Sequence, residues 1–319
     1  MLYSVWGIFF VNLRAQCVAI AILSVANKLR KNPMSRSASK IFLNFARAVL
    51  SSIFLMFAGV NVASAVEGPA AEGLDKTLAG EHRSAANKAR DAFRHPKETL
   101  AFFGVKADSS VIETFPGAGW YTEVLAPYLR ASGRYTVAYP AESVRGIKSF
   151  QEKLAAKPTL YDKVKIMPLG APVALDIRPD GANTAVGGGA DFVLTFRNVH
   201  NWIDDDNVDV FMKSFFDALK PGGVLGLVEH RAKPGSKLKQ AIDLGYVTEE
   251  YVIKHALIAG FKLDAKSEIN ANPKDTKDYK SGVWTLPPSL ADGERDRAKY
   301  VAIGESDRMT LRFVKPLAR

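Results

Sequence analysis

The chain has 319 residues, of which 47% are hydrophobic and 24% charged, so it holds enough apolar material for a globular core. Its net charge of +10 would suit a nucleic-acid-binding protein, but residues 1–65 hold seven of the 43 basic residues and no acidic one. The remaining 36 basic and 33 acidic residues leave a charge of +3, which argues against a nucleic-acid partner.

The N-terminus has the pattern of a secretory signal peptide. An apolar run at 48–60 follows the basic segment 34–47 and ends in small residues at 63–65. We therefore predict translation from Met34, cleavage after Ala65 and a periplasmic mature protein without stable membrane insertion. An uncleaved membrane anchor is the alternative.

Two consequences follow for the mature protein. Residues 1–33 are interpreted as an upstream translation artefact, and together with the signal peptide they make up an N-terminal segment of residues 1–65. The single cysteine, Cys17, lies in this segment. The mature chain therefore has no thiol for a disulfide, for nucleophilic catalysis or for a metal site.

The next segment, residues 66–104, is predicted to be an N-terminal helical extension. Its small and polar beginning, 66–80, is predicted to be a flexible lead-in. A helix is expected from 81 to His95, and Pro96 breaks it and can begin a second short helix.

Polar side chains in this extension recur at three- and four-residue spacings and share one helical face: Asn87, Arg90, Asp91 and Arg94. Such a face is either a solvated, salt-bridged surface or a lid over a ligand pocket.

From residue 105 to 319, strands and helices alternate, which is typical of an α/β domain with a parallel sheet. Strands are predicted at 110–115, 134–139, 164–167, 191–196, 224–230, 261–268 and 308–315. Helices are predicted at 120–131, 142–156, 206–219 and 248–259, and a loop at 168–190.

A polar, Pro-rich insertion at 270–307 separates the last two predicted strands and contains a short helical piece. An insertion of this length is either a lid or binding loop, or a surface excursion without function. Its aromatic residues Tyr279 and Trp284 either stack on a planar acceptor or fill a small core of their own.

The turn after the first predicted strand carries the main functional signal. Glycines in Phe115–Trp120 let the backbone approach a ligand, and the following helix offers free N–H groups at the carboxyl edge of the sheet. Thr122 stands where a dinucleotide-binding motif has its third glycine, which disfavours an NAD-linked oxidoreductase. The chain has no Gly-Lys-Ser/Thr triplet, which disfavours nucleotide hydrolysis.

The arrangement resembles the class I S-adenosylmethionine-dependent methyltransferases over about residues 80–317. The resemblance rests on the first-strand motif, on DFVLTFRNVHNW at 191–202, on LKPGGVLGLVEH at 219–230 and on the final strand pair. More narrowly, residues 81–105 with PGAGWYTEVLAPYL at 116–129 are similar to a group of exported bacterial predicted methyltransferases. The family implies a Rossmann-like seven-stranded sheet that ends in an antiparallel C-terminal hairpin.

The resemblance also implies S-adenosylmethionine as the cofactor, with contacts from Glu113, Pro116, Gly117, Gly119, Tyr121, Asn198 and Trp202. The acidic residue that should hold the ribose at the end of the second strand is absent, and Glu142 is the nearest carboxylate. The acidic residue often found after the third strand is also missing. Either Glu142 substitutes from a shifted position, or the cofactor is bound differently, or binding has been lost.

Three residues at the carboxyl edge are candidates for catalysis. His200 follows the fourth strand, where the family places residues near the reactive methyl group, and an imidazole titrates near neutrality. It is a candidate base or, alternatively, a capping or core-edge histidine. Glu229 and His230 end the fifth strand and are predicted either to line the acceptor pocket or to pair with Arg231 or His82.

The resulting hypothesis is a methyltransferase that acts on an unidentified small-molecule or envelope acceptor. The alternative is an exported binding protein with a methyltransferase-like fold and no catalysis, because fold does not fix function. The spacing of the five histidines shows no helix-borne metal site, and nothing in the sequence fixes the oligomeric state.

Overall fold

A computed structural model describes residues 69–140, 144–169, 189–204 and 206–317. The strands are β1 (Ser110–Thr114), β2 (Arg134–Pro140), β3 (Lys165–Leu169), β4 (Ala190–Phe196), β5 (Leu219–His230), β6 (Lys262–Ser267) and β7 (Arg308–Val314). The predicted signal peptide, Glu142 and most of the predicted loop 168–190 lie outside the described residues.

The helices cover the extension, the connections between strands and the insertion. They are α1 (Pro69–Ala79), α2 (Ala85–Lys88), α3 (Asp91–Arg94), α4 (Pro96–Phe103), α5 (Thr122–Leu129), α6 (Val144–Ala155), α7 (Pro158–Tyr161), α8 (Val199–Asp204), α9 (Val208–Ala218), α10 (Leu238–Ile242), α11 (Glu249–Ile258) and α12 (Arg297–Ile303). A 3-10 turn spans Gly282–Thr285. Among these described helices, none combines the length and apolar character that crossing a bilayer requires.

The seven strands form one sheet in the order β3-β2-β1-β4-β5-β7-β6. The first five strands pair in parallel, whereas β7 runs antiparallel to both β5 and β6. The prediction of a Rossmann-like sheet with an antiparallel C-terminal hairpin is therefore confirmed. The carboxyl ends of β1, β4 and β5 are neighbours at one edge, which brings together three segments that are far apart in sequence.

Helices pack on both faces of the sheet, and neighbouring residues of β1 point to opposite sides. Val111 packs in the same cluster as Leu125, while Ile112 packs in the other cluster with Phe215. This alternation is the period of two that a strand imposes on its side chains. Because both faces are covered, every residue of β1 is buried, including Glu113.

The prediction of a flexible lead-in at 66–80 is wrong. Residues 69–79 form α1, whose Leu74 is buried in the same core cluster as Tyr128 of α5. Its apolar contacts stabilise a helix of 11 residues, which is too short to be stable by itself in water. The predicted helix 81–95 is split into α2 and α3, and Pro96 begins α4 as expected. The helices α8 and α10 were not predicted, whereas α12 confirms the helical piece in the insertion.

Candidate functional site

A cavity of about 340 Å³ opens at the carboxyl ends of β1, β4 and β5, within the size range of small-molecule sites. The strand ends contribute lining residues from three segments: Glu113, Phe115, Pro116, Gly117, Ala118, Trp120 and Tyr121; Phe196, Arg197 and Asn198; and His230. The extension adds Asn87, Arg90 and Arg94, and the insertion adds Val283, Trp284, Pro287, Pro288, Ser289, Glu305 and Ser306. The site is therefore assembled from the sheet, the extension and the insertion together.

The turn after β1 exposes its backbone to this cavity. A side chain added at Gly117 would meet no atom within 4 Å, and φ is +56° there, a conformation that favours glycine. Gly119 is needed for packing, because a Cβ there would lie 2.9 Å from the Phe150 ring. Gly117 is thus the predicted glycine that leaves room for a ligand, and Gly119 allows the turn to pack.

Phe115 occupies the left-handed region, with φ of +52°, although it has a bulky side chain. Such a conformation costs on the order of 1–3 kcal/mol and persists only when packing enforces it. The Phe115 ring is held by Trp202 and Phe211, at centroid distances of 5.4 and 5.1 Å. This packing fixes the start of the turn that carries Gly117.

Glu113 presents a buried carboxyl group to the cavity. The Tyr135 hydroxyl donates a hydrogen bond to Glu113 Oε2, and Thr122 Oγ1 lies 2.9 Å from the same hydroxyl. Burial raises the pKa of Glu113 to about 7, although the Tyr135 hydrogen bond and the charge of Arg197 act in the opposite direction. At neutral pH this group is therefore close to half ionised.

Arg90, Arg94 and Arg197 line the cavity, and Arg308 pairs with the cavity residue Glu305; we call these four residues the arginine cluster. Three of them share the carboxylate of Glu305: Arg90 Nε at 2.6 Å, Arg94 Nε at 3.1 Å and Arg308 Nη1 at 3.0 Å. Burial alone would raise the pKa of Glu305, but Arg308, Arg94 and Arg90 outweigh it and lower the pKa to about 2.

The fourth member, Arg197, follows β4 in a left-handed conformation with φ of +61°. Its backbone N–H donates to the Val228 carbonyl at 2.7 Å, which fixes the main chain. Within the described part of the chain its guanidinium group makes no hydrogen bond or ion pair, yet it lines the cavity.

The three predicted catalytic residues come together beside the cavity. Glu229 Oε2 accepts the Val199 N–H at 2.6 Å, and Oε1 accepts the His230 N–H at 2.7 Å and lies 3.0 Å from His200 Nδ1. His230 Nδ1 lies 2.5 Å from Ser306 Oγ. Glu229 is therefore a buried anchor that fixes both histidines.

These three residues differ in their access to the cavity. His230 lines it, whereas Glu229 is fully buried and the His200 ring lies behind, 5.3 Å from the His230 ring and 6.3 Å from Trp284. Burial lowers the pKa of His230 well below its ordinary value, and His200 and Arg197 lower it further. His230 is thus a neutral imidazole at pH 7.

Among the described residues, His200, Glu229 and His230 have possible ligand atoms within 4.8 Å of one another, which is close enough to hold one metal ion. Histidine spacing could not have predicted it, because the residues come from two different elements. Both Glu229 oxygens already accept backbone N–H groups, and Arg197 and Arg308 add positive charge nearby. The surroundings therefore favour a hydrogen-bonded network over a cation site.

The other predicted cofactor contacts divide into two groups. Asn198 lines the cavity while its amide donates to the Thr114 carbonyl at 3.2 Å, and Tyr121 lines it while stacking on Phe196 at 3.7 Å. Trp202 is placed in the core instead, because α8 turns its ring toward Phe211 and Phe215. It is 3% exposed and does not line the cavity, so the structure does not bring it to the site.

The polar face of the extension is a cavity wall rather than a solvated surface. Arg94 is only 3% exposed, and its guanidinium carbon lies 4.7 Å from the centre of the Trp120 ring. Asp91 faces away and pairs with Arg83 at 2.6 Å. Of the two insertion aromatics, Trp284 lines the cavity and is 41% exposed, while Tyr279 is buried.

Neither of the predicted alternative partners reaches Glu229 or His230. Arg231 pairs with three carboxylates of its own, those of Glu249, Glu268 and Asp307. His82 Nε2 lies 2.8 Å from the Glu123 carbonyl oxygen. Arg197, Glu305 and Ser306 are polar residues of the cavity that the sequence analysis does not single out.

Comparison with solved structures identifies the fold. The [4+2]-cyclase SpnF matches with a TM-score of 0.50 and 15% identity over 75% of this chain and 86% of that one. A SAM-dependent methyltransferase from Aquifex aeolicus matches with a TM-score of 0.46 and 13% identity over 71% of this chain and 93% of that one. The glycopeptide N-methyltransferase MtfA matches with a TM-score of 0.45 and 16% identity over 73% of this chain and 100% of that one. No protein-family model matches the sequence, and no curated protein sequence matches it.

The sheet order and the match to SpnF therefore show a Rossmann-like α/β fold with a mixed seven-stranded sheet, as the sequence analysis predicts. At these identities the comparison defines the fold and leaves the reaction to be argued from the site itself.

Proposed function

We propose that this protein is an S-adenosylmethionine-dependent methyltransferase that acts on a small-molecule or envelope acceptor after export to the periplasm. The observation that carries the proposal is the position of the cavity. It lies between the open backbone of Gly117, the buried carboxyl of Glu113 and the neutral imidazole of His230. The export step rests on the sequence pattern of residues 34–65 alone.

The residues present suit the methionine part of the cofactor, which carries an ammonium and a carboxylate group. Glu113 offers a carboxyl group for the ammonium, and Arg90 and Arg94 offer guanidinium groups for the carboxylate. Gly117 leaves space for a close backbone approach. Glu142, the candidate for the ribose hydroxyls, lies outside the described residues, so no ribose partner is assigned.

The bound cofactor supplies an electrophilic methyl group on a positively charged sulfur. His230 is positioned to accept the proton that the acceptor O–H or N–H loses as its oxygen or nitrogen bonds to the methyl carbon. This role requires the tautomer in which Nδ1 carries the ring proton and donates it to Ser306 Oγ, which leaves Nε2 as the nitrogen that accepts the proton. The proton replaces the positive charge that the sulfur loses, so the net charge of the cavity does not change. Glu229 and His200 act as positioning residues.

A binding protein with this fold and no catalysis is the second candidate. It is favoured by the lowered pKa of His230, because an imidazole with a low proton affinity is a weak general base. Transfer of label from methyl-labelled S-adenosylmethionine to a small-molecule extract would support the enzyme, and tight binding without any transfer would support the second candidate.

Calorimetric titration with S-adenosylmethionine and S-adenosylhomocysteine tests the placement of the cofactor. We expect dissociation constants on the order of micromolar for the full chain. Gly117→Val should abolish the binding heat, because the side chain fills the space beside the ligand. Gly293→Val is the matched control, since Gly293 also has positive φ and no atom within 4 Å of an added Cβ.

Both variants carry the same kind of backbone strain, so a difference between them reports on the cavity. Unchanged affinity in Gly117→Val would refute the placement. Absence of heat in the unmodified protein at about 500 µM ligand would refute the proposed cofactor.

A further inference from the structure

The guanidinium group of Arg197 lines the cavity without a hydrogen bond or ion pair to the described residues. A guanidinium group offers five N–H donors in a rigid fork that suits a carboxylate or phosphate. Holding such a group half-buried without an anion is costly. The left-handed backbone at Arg197 and its hydrogen bond to Val228 keep the residue in this place.

Among the described residues, the carboxyl groups at the cavity do not neutralise the neighbouring arginines. Arg90, Arg94 and Arg308 all share the single carboxylate of Glu305. Glu113 is the other carboxyl group that lines the cavity, and burial raises its pKa to about 7, so it carries much less than a full negative charge at neutral pH. The cavity wall therefore has an excess of positive charge.

The proposed cofactor does not remove this excess. S-adenosylmethionine carries a sulfonium, an ammonium and a carboxylate, and is a net monocation. Placing it beside four guanidinium groups increases the positive charge unless a second anion is present. An acidic acceptor would supply that anion.

We propose that the methyl acceptor is a small organic acid whose carboxylate or phosphate group pairs with the Arg197 guanidinium. This inference rests on the proposed methyltransferase function and names its substrate class. The apolar part of the acid lies against the exposed face of Trp284 and the neighbouring Pro287 and Pro288, which line the same cavity. Arg197 is then a specificity-determining residue.

The carboxylate of the cofactor is the competing source of an anion for Arg197, so the test is made with that subsite filled. Benzoate and its neutral isostere benzamide are titrated calorimetrically into the full chain, free and saturated with S-adenosylhomocysteine. We expect benzoate to bind the saturated protein at least about tenfold more tightly than benzamide, as a charge-assisted hydrogen bond allows.

Variants assign the effect to one side chain. Arg197→Met should remove the preference for benzoate while changing the affinity for S-adenosylhomocysteine less than about twofold. Arg130→Met is the charge-matched control, because Arg130 pairs with Asp162 in solvent and does not line this cavity, and it should behave like the unmodified protein. Arg197→Lys should retain part of the preference, since it keeps the charge and loses the fork.

Several outcomes would overturn the proposal. These are equal binding of benzoate and benzamide, no binding of either to the saturated protein at about 20 mM, and benzoate binding that S-adenosylhomocysteine displaces. The last result would assign Arg197 to the carboxylate of the cofactor. If S-adenosylhomocysteine fails to bind but the free protein prefers benzoate in an Arg197-dependent way, the methyltransferase proposal fails and the anion site stands.

Discussion

Arg94 and Glu305 form a buried ion pair in which Nε lies 3.1 Å from Oε2, although 211 residues separate the two in the chain. Arg94 belongs to the N-terminal extension, and Glu305 lies just before the last strand of the sheet. Both residues are less than 5% exposed. The extension is therefore an integral wall of the domain, held by charge as well as by apolar packing.

Neutralising Glu305 should destabilise the protein strongly. In Glu305→Gln three arginines lose their shared carboxylate, and we expect the free energy of unfolding to fall by about 3–5 kcal/mol, as for other broken buried ion pairs. Urea denaturation followed by circular dichroism measures this change. Glu294→Gln is the control, because Glu294 is exposed and should change stability by less than about 0.5 kcal/mol. Equal stability of the two variants would contradict the charge arrangement.

The same residue should give a defined pH dependence. The pKa of Glu305 is lowered from its ordinary value of 4.5 to about 2, so its ionised form stabilises the folded state. This contribution, about 3 kcal/mol, is fully present above pH 4.5 and is lost as the pH falls toward 2. The stability difference between the unmodified protein and Glu305→Gln should therefore shrink over this range. A difference that stays constant to pH 2 would be inconsistent with a lowered pKa.

Glu113 should act in the opposite direction. Because its pKa is raised to about 7, ionisation destabilises the free folded protein, and stability falls by about 3 kcal/mol as the pH rises from 4.5 to 7. A ligand ammonium compensates the ionised carboxyl, so the affinity for S-adenosylhomocysteine should rise between about pH 6 and 8.

Calorimetry across this pH range measures the effect, and Glu113→Gln should abolish the pH dependence while the exposed-site variant Glu152→Gln retains it. Tyr135→Phe removes a hydrogen bond that lowers the pKa of Glu113, so the rise in affinity should move to higher pH. A pH-independent affinity in the unmodified protein would refute the proposed contact.

The imidazole of His230 should stay neutral below pH 6.5. Burial, His200 and Arg197 all lower its pKa, in that order of size. Nitrogen NMR of histidine-labelled protein should show a neutral ring at pH 6, and Arg197→Met should raise the pKa because it removes a nearby positive charge. Arg130→Met, which lies elsewhere, should leave the titration unchanged. A protonated His230 at pH 6 would exclude it as the proposed base at that pH.

Two tryptophans that the sequence presents as similar candidates should behave differently. Trp202 is packed between Phe115, Phe211 and Phe215, so Trp202→Leu should cost about 2–4 kcal/mol of stability. The affinity of the folded variant for S-adenosylhomocysteine should change less than about threefold. Trp284→Leu should cost less than about 1 kcal/mol, because that ring is 41% exposed, but should weaken benzoate binding. Reversal of this pattern would place Trp202, and not Trp284, at the ligand.

The positions of the strands were accessible from the sequence because their signals are local. Apolar runs at β1, β4 and β5 and the glycine turn at residues 115–120 each depend on a few adjacent residues. The helix α1 was missed because its stability comes from burial of Leu74 among residues of α5, which no local pattern contains. Local propensity is a weak guide wherever such tertiary contacts decide the structure.

The site was predicted in part for the same reason. Glu113 and His230 lie at the carboxyl ends of β1 and β5, and Gly117 follows β1; these strand ends meet at one edge in a sheet of this type. The pairing of Arg94 with Glu305, or of His230 with Ser306, depends on how the extension and insertion pack on the sheet. Arg197 is adjacent to the predicted Asn198, but its left-handed backbone and its guanidinium group, which has no hydrogen-bond partner among the described residues, become visible only in three dimensions.

The enclosure of one cavity by residues 87–94 and by Glu305 and Ser306 has a consequence for biosynthesis. These segments are among the first and last of the described chain to leave the ribosome. A nascent or prematurely ended chain holds Arg94 without the carboxylate of Glu305 and lacks one wall of the cavity. Because a ligand stabilises only the form that binds it, ligand supply would protect finished molecules selectively and leave incomplete ones exposed to proteolysis.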